Sequence, residues 1–150
     1  MASHIEACRE LALSILKPSQ KQLKHGLELH KDALVWDAYG FIPGGTTKNA
    51  IEQITALAEA GADRNEISDF LENATQLGFL ANPDAVRAFK ETFDAAGVDC
   101  VFQNSGEESN DIERLIKRLA RRTYLCDKMP DVITRAAFPA DVTAAKKSGR

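Results

Sequence analysis

Two short apolar runs, each emptying into a loop, limit most strongly what this chain can fold into. Ala33-Leu34-Val35-Trp36 runs into Asp37-Ala38-Tyr39-Gly40-Phe41-Ile42-Pro43-Gly44-Gly45. Val98-Asp99-Cys100-Val101-Phe102 runs into Gln103-Asn104-Ser105-Gly106. Each reads as a buried strand ending in a Gly-, Pro- or Asn-rich turn. The sequence between them has helical periodicity, so the strands cannot form a tight hairpin. Strand, helices, strand is the pattern of an α/β fold with parallel strands.

The helical segments carry their own punctuation. Ser3 and Glu6 form a capping signal and Pro18 is a stop, with Ile5, Cys8, Ala12 and Ile15 on one face between them. Ser19 and Gln22 repeat the signal before a second helix to about Lys31, with Leu23 and Leu27 inward. Thr47 opens a helix to about Ala60 carrying Ile51, Ile54 and Ala58, closed by Gly61. Asp63 and Glu66 cap the next helix, whose inward set is Ile67, Phe70, Leu71, Ala74 and Leu77 and whose end is Gly78. Asn82-Pro83 starts another, with Val86, Phe89 and Phe93 as its stripe and Gly97 as its stop. A further helix spans about Ser109 to Arg122, with Ile112, Leu115, Ile116 and Leu119 inward. Its Lys117, Arg118, Arg121 and Arg122 read as a solvated outer face rather than a polyanion site. Pro130 and Pro139 bracket an irregular stretch before a short helix from about Asp141 to Lys147.

Two strands do not close a sheet, and a (β/α)8 barrel takes roughly 250 residues. At 150 residues, with two parallel strands among many helices, the chain reads as part of a larger α/β fold. A small complete α/β domain is the alternative. Residues 1–150 form one domain: leading helices over 1–32, then two β/α units and the lead-in to a third over 33–150. Neither a dinucleotide-binding glycine pattern nor a phosphate-binding loop follows the first strand. The net charge of −3 gives no basic field for nucleic acid. No apolar run approaches the ~20 residues of a transmembrane helix, and no secretory signal opens the chain. Cys8, Cys100 and Cys126 are far apart and odd in number, as expected for reduced thiols in a cytoplasmic protein.

Candidate chemistry is sparse. Asp37 stands at the carboxyl end of the first strand, the end that faces the active site in α/β folds. It reads either as a substrate-binding carboxylate or as a turn residue bonding its own backbone. Tyr39 lies two residues on, on the same side if the strand stays extended, and can donate a hydrogen bond to substrate. Gln103, Asn104 and Ser105 close the second strand and serve either a substrate or a turn. His4, His25 and His30 sit on the leading helices and read as surface or packing residues. No catalytic group and no metal ligand set can be assigned from spacing.

Three segments resemble the membrane (renal) dipeptidase family. Leu27-Glu28-Leu29-His30-Lys31-Asp32-Ala33-Leu34-Val35-Trp36-Asp37 is similar to its opening, where a helix leads into an apolar strand ending Asp-Gly-His-x-Asp. Phe89 to Gly106 resembles the entry to its second barrel strand. Leu115 to Arg150, with Arg-Leu-Ala-Arg-Arg-Thr-Tyr and Ala-Ala-Lys-Lys-Ser-Gly-Arg, resembles the lead-in to its third. The resemblance covers about residues 24–150, and the order of the motifs is more specific than any one of them.

The resemblance implies a zinc-dependent barrel that cleaves dipeptides, of which this chain would be an incomplete (β/α)8 TIM-barrel-like N-terminal portion, helix-rich with about two parallel strands. Its zinc ions would be held by a His-x-Asp pair after the first strand, a bridging Glu from the third, and later histidines. Here the His position is Tyr39 and the Asp position is Phe41, and neither supplies a usual zinc ligand. The other ligands are expected beyond Arg150. Without a metal to lower the pKa of water, these residues alone are expected not to hydrolyse peptides. Two functions follow: the N-terminal segment of a dipeptidase-like hydrolase, or a non-catalytic pseudo-enzyme or interaction module on that scaffold. In both, unpaired strand edges and unpartnered apolar faces favour self-association.

Overall fold

The computed structural model describes residues 2–40, 42, 44, 47–106 and 112–149. Its elements run in the order α1 Ala2–Leu16, α2 Gln20–Asp32, β1 Trp36–Gly40, α3 Lys48–Glu59, α4 Arg64–Leu77, a 3-10 turn Gly78–Ala81, α5 Pro83–Ala96, β2 Cys100–Gln103, α6 Ile112–Lys128 and α7 Pro139–Ser148. β1 and β2 pair in parallel, with Trp36 opposite Cys100, Asp37 opposite Val101 and Gly40 opposite Gln103. The fold is therefore helix-rich α/β with a two-stranded parallel sheet, and α3, α4 and α5 make the crossover.

Local chemistry sets the helix ends. Ser19 and Gln22 form a reciprocal capping box, as do Asp63 and Glu66. The Thr47 side chain accepts from the Ala50 amide, and the Asn82 side chain accepts from the Asp84 amide beside Pro83. Gly97 ends α5 in the left-handed region at φ 64°. A Cβ there would also meet the His30 ring 2.6 Å away. At α7, Asp141 accepts from the Ala137 and Phe138 amides at 2.8 and 2.9 Å. These bonds, Phe138 first, hold its carboxyl below the ordinary value.

The core gathers where α5 and α6 meet. Phe89, Leu125 and Met129 are buried together, with Leu77, Phe79, Val86 and Ile133 packed around them. Phe89 stacks on Phe79 at 5.3 Å and lies 5.1 Å from Phe93. Periodicity alone ends α6 at about Arg122. It continues to Lys128, and the added turns bring in Leu125. The expected start at Ser109 lies outside the described residues.

Several expected faces are corrected. β1 begins at Trp36, not Ala33, and only its last residue, Gly40, is buried. Two strands alone leave each with one neighbour, so an apolar sequence does not secure burial. In α1, Cys8, Ala12 and Ile15 are exposed and Ile5 is half-buried, while α2 leaves Leu27 exposed. The helix already runs through Ser3, which therefore does not stand at its N-cap.

The largest correction concerns α6. Ile112, Ile116 and Leu119 point outward, exposed by 76%, 60% and 50%. Its basic face instead packs on α4. Glu72 pairs with Arg114, with Arg118 at 2.6 Å and with Arg121 at 2.9 Å. Lys117 pairs with Asp69, and Arg114 also donates to the Ser68 hydroxyl at 2.9 Å. The Arg118 side chain is as buried as that of Glu72, and the Arg121 side chain is slightly more so. The hydrogen bond from Arg118 leads the causes that lower Glu72 from 4.5 to about 2, against the upward push of burial.

A second ionic tie fastens the sheet. Asp99, entering β2, accepts from the Val35 amide at 2.8 Å and from Lys146 of α7 at 2.7 and 2.9 Å. The Val35 carbonyl accepts from Asp99 and Cys100 amides, and Lys146 also donates to the Ala33 carbonyl. Burial pushes the Asp99 carboxyl up, but Lys146 and the Val35 amide together hold it below its ordinary value.

Two stability predictions follow from these ties. Lys146→Met leaves the largely buried Asp99 charge unpaired and should cost about 2 kcal/mol in urea unfolding at pH 7. A loss under about 0.5 kcal/mol would mean that the contact is solvated and contributes nothing. Glu72 has a depressed folded pKa, so its contribution is full above about pH 5 and fades as pH falls toward 2. Glu72→Gln should therefore be roughly 3 kcal/mol less stable at pH 7, with the gap to the parent closing near pH 2. A gap of constant size across that range would show that the charge is not what Glu72 contributes.

Candidate functional site

The carboxyl ends of β1 and β2 bring together side chains that are far apart in sequence. The Tyr39 hydroxyl accepts from the Asn104 side-chain amide at 3.1 Å. The Gln103 side chain accepts from the Ile42 amide at 2.5 Å and donates to the Asn104 carbonyl at 2.9 Å. One strand end thus clamps the chain that leaves the other. Parallel pairing in register makes this possible, since Gly40 lies opposite Gln103.

Between Asp37 and Gly40 the register slips, so that β1 spends one more residue than β2 over the same stretch. Such a bulge breaks the alternation of a regular strand. The condition under which Asp37 and Tyr39 would share a side, an uninterrupted extended strand, is not met. Instead the Asp37 carboxylate accepts from the Tyr39 amide at 3.1 Å. That bond is the local backbone-capping use of an aspartate. The carboxylate also lies over Gly40, where a Cβ would stand 2.5 Å from both Asp37 Oδ2 and Val101 Cγ1.

Asp37 and Tyr39 are both exposed, Tyr39 by 69%. They offer an acceptor and a phenol to solvent at the rim of the sheet. On the sheet itself, Trp36 and Phe102 meet edge to face at 5.2 Å. Gln103 and Asn104, which the sequence offers to either a turn or a substrate, use their side chains to join the strand ends. Only the pairing register shows that they face the β1 exit.

Metal chemistry has little to work with here. Among the described residues no group of three His, Cys, Asp or Glu is placed to hold a metal ion. At the position where a dipeptidase-like site would carry its histidine, the Tyr39 phenol is bonded to Asn104. Phe41, at the position of the aspartate, lies outside the described residues. The described residues at the strand ends, a phenol engaged by Asn104 and the single carboxylate of Asp37, do not fit a zinc pair. His30 is accounted for by its contact with Gly97. Cys8, Cys100 and Cys126 are free thiols, and burial pushes the Cys100 and Cys126 thiols up, away from the reactive thiolate.

No family model, curated protein or solved structure matches the chain. No helix among the described residues is long and apolar enough to cross a membrane.

The packing at Gly40 is testable against a glycine with free space. Gly40→Ala drives a methyl into both Asp37 and Val101 and should lower stability by about 2 kcal/mol. Gly26→Ala, in the interior of α2 with nothing within 4 Å, should raise it by roughly 0.5–1 kcal/mol. Thermal unfolding of the two variants beside the parent reads both signs. Equal effects would show that strand closure does not constrain Gly40.

Proposed function

We propose that the chain is the first portion of a dipeptidase-like β/α scaffold that binds a small peptide-like ligand at its strand ends without cleaving it. The observation that carries this reading is the Tyr39–Asn104 bond. It joins the carboxyl ends of two adjacent parallel strands, the end where ligands bind in folds of this class. The order of the dipeptidase-like segments, from Leu27–Asp37 through Phe89–Gly106 to Leu115–Arg150, adds support. Asp37 would meet a peptide amine and Tyr39 a carbonyl or carboxylate, each by a single polar contact. Three free cysteines fit a reducing, cytoplasmic setting. Zinc belongs to the family that the chain resembles, and Tyr39 is a poor substitute for its histidine.

A second reading is an interaction module on the same scaffold, self-associating through its apolar surface. The outward Ile112, Ile116 and Leu119 of α6 favour it.

Purified chain, given a dipeptide such as Ala-Leu with and without added zinc, separates these readings. The expected result is no turnover under either condition, weak dipeptide binding, and loss of that binding in an Asp37→Ala, Tyr39→Phe double variant. Chelator-sensitive turnover restored by zinc would overturn the non-catalytic assignment. Absent dipeptide binding, with an apparent mass that rises with concentration and falls in Ile116→Lys, would support the interaction module instead.

A further inference from the structure

Along β2 lies a cavity of about 830 Å³ walled by β2, α5, α7 and the segment 132–138, and it reaches Ile42, Gln103 and Ser105 at the strand ends. Its volume is that of a pocket for a small organic ligand, roughly 300–1,000 Å³. Phe89, Phe93, Phe102 and Ile133 contribute apolar surface. The charged residues around it are unevenly matched. Five basic residues, Lys31, Lys90, Arg122, Arg135 and Lys146, line it with two acidic ones, Asp94 and Asp99. The whole chain carries −3, so this wall holds a local surplus of the opposite sign.

Both acids are already engaged. Lys90 holds Asp94 at 2.9 and 3.0 Å, and Lys146 holds Asp99. Lys31, Arg122 and Arg135 have no acidic partner among the described residues. Arg122 is the most constrained of the three. Its Nε is buried with no hydrogen-bond partner among the described residues. Burial first, then the neighbouring Arg118 and Arg121, push its guanidinium below the ordinary value, with Glu72 and Cys126 opposing. A buried donor left unmatched on a charged group is costly, and the guanidinium of Arg122, a lining residue of the cavity, is of the kind that pairs with a carboxylate.

We propose that this cavity binds an anionic amphiphile, a carboxylate on an apolar body, with Arg122 as its anchoring cation. The aromatic wall takes the apolar body. Lys31 and Arg135 add long-range attraction at the rim.

Decanoate is a suitable probe, and Trp36, the chain's single tryptophan and a cavity residue, reports its entry by fluorescence. The expected result is saturable binding of one decanoate per chain, with 1-decanol at least tenfold weaker. Arg122→Met should weaken decanoate by about tenfold or more and leave decanol unchanged, while Arg122→Lys keeps part of the affinity. If Arg122→Met does not fold by circular dichroism, Arg135→Gln and the salt dependence decide. Affinity for decanoate should then fall severalfold in Arg135→Gln and as salt is raised to about 0.5 M. Non-saturable uptake, equal binding of decanoate and decanol, or an affinity indifferent to salt and to every variant would overturn the proposal.

Discussion

One carboxylate holds together parts of the chain that share no sequence proximity. Asp99 takes the Val35 amide from the approach to β1, starts β2 itself, and receives Lys146 from α7. A two-stranded parallel sheet has little cooperative strength of its own, because each strand has one neighbour and parallel pairing is slightly weaker per residue. The tie fixes the register at its amino end, where Val35 both donates to and accepts from Asp99. At the other end the Gln103 side chain holds Ile42, and Asn104 reaches Tyr39. Without both fastenings the bulge between Asp37 and Gly40 would let the strands slip.

The α4–α6 contact obeys a different rule from the core. It is built from Asp69 and Glu72 against Arg114, Lys117, Arg118 and Arg121, several of them well buried. Guanidinium groups suit such a place because they keep their charge and bind a carboxylate through two nitrogens. The consequence is an inverted helix: the basic side of α6 packs inward on α4, and Ile112, Ile116 and Leu119 face out. The same arrangement leaves Arg122, one turn beyond Arg118, beside the cavity with no carboxylate paired to it among the described residues.

Helix boundaries were readable wherever a cap decided them. Asp63 with Glu66, Asn82 with Pro83, and Gly97 each act where the local pattern places them. These are contacts within a few residues, so the sequence carries them entirely. The periodic stripe of α6 was also real, but periodicity reports that a helix has two unlike faces, not which of them meets a neighbour. The strand end was legible in part. Asp37 and Tyr39 stood out by position, yet the bulge between them and the Asn104 partner depend on pairing across the crossover.

What the sequence determined by itself is the alternation of helices and two strands, and the caps at Ser19, Asp63 and Asn82. What only the tertiary structure decided is which charges found each other: Glu72 with three arginines, Asp99 with Lys146, and Arg122 with none among the described residues. The physical reason is range. Capping and turn formation act over three or four neighbours, whereas an ion pair depends on how helices far apart in the chain come to rest against one another.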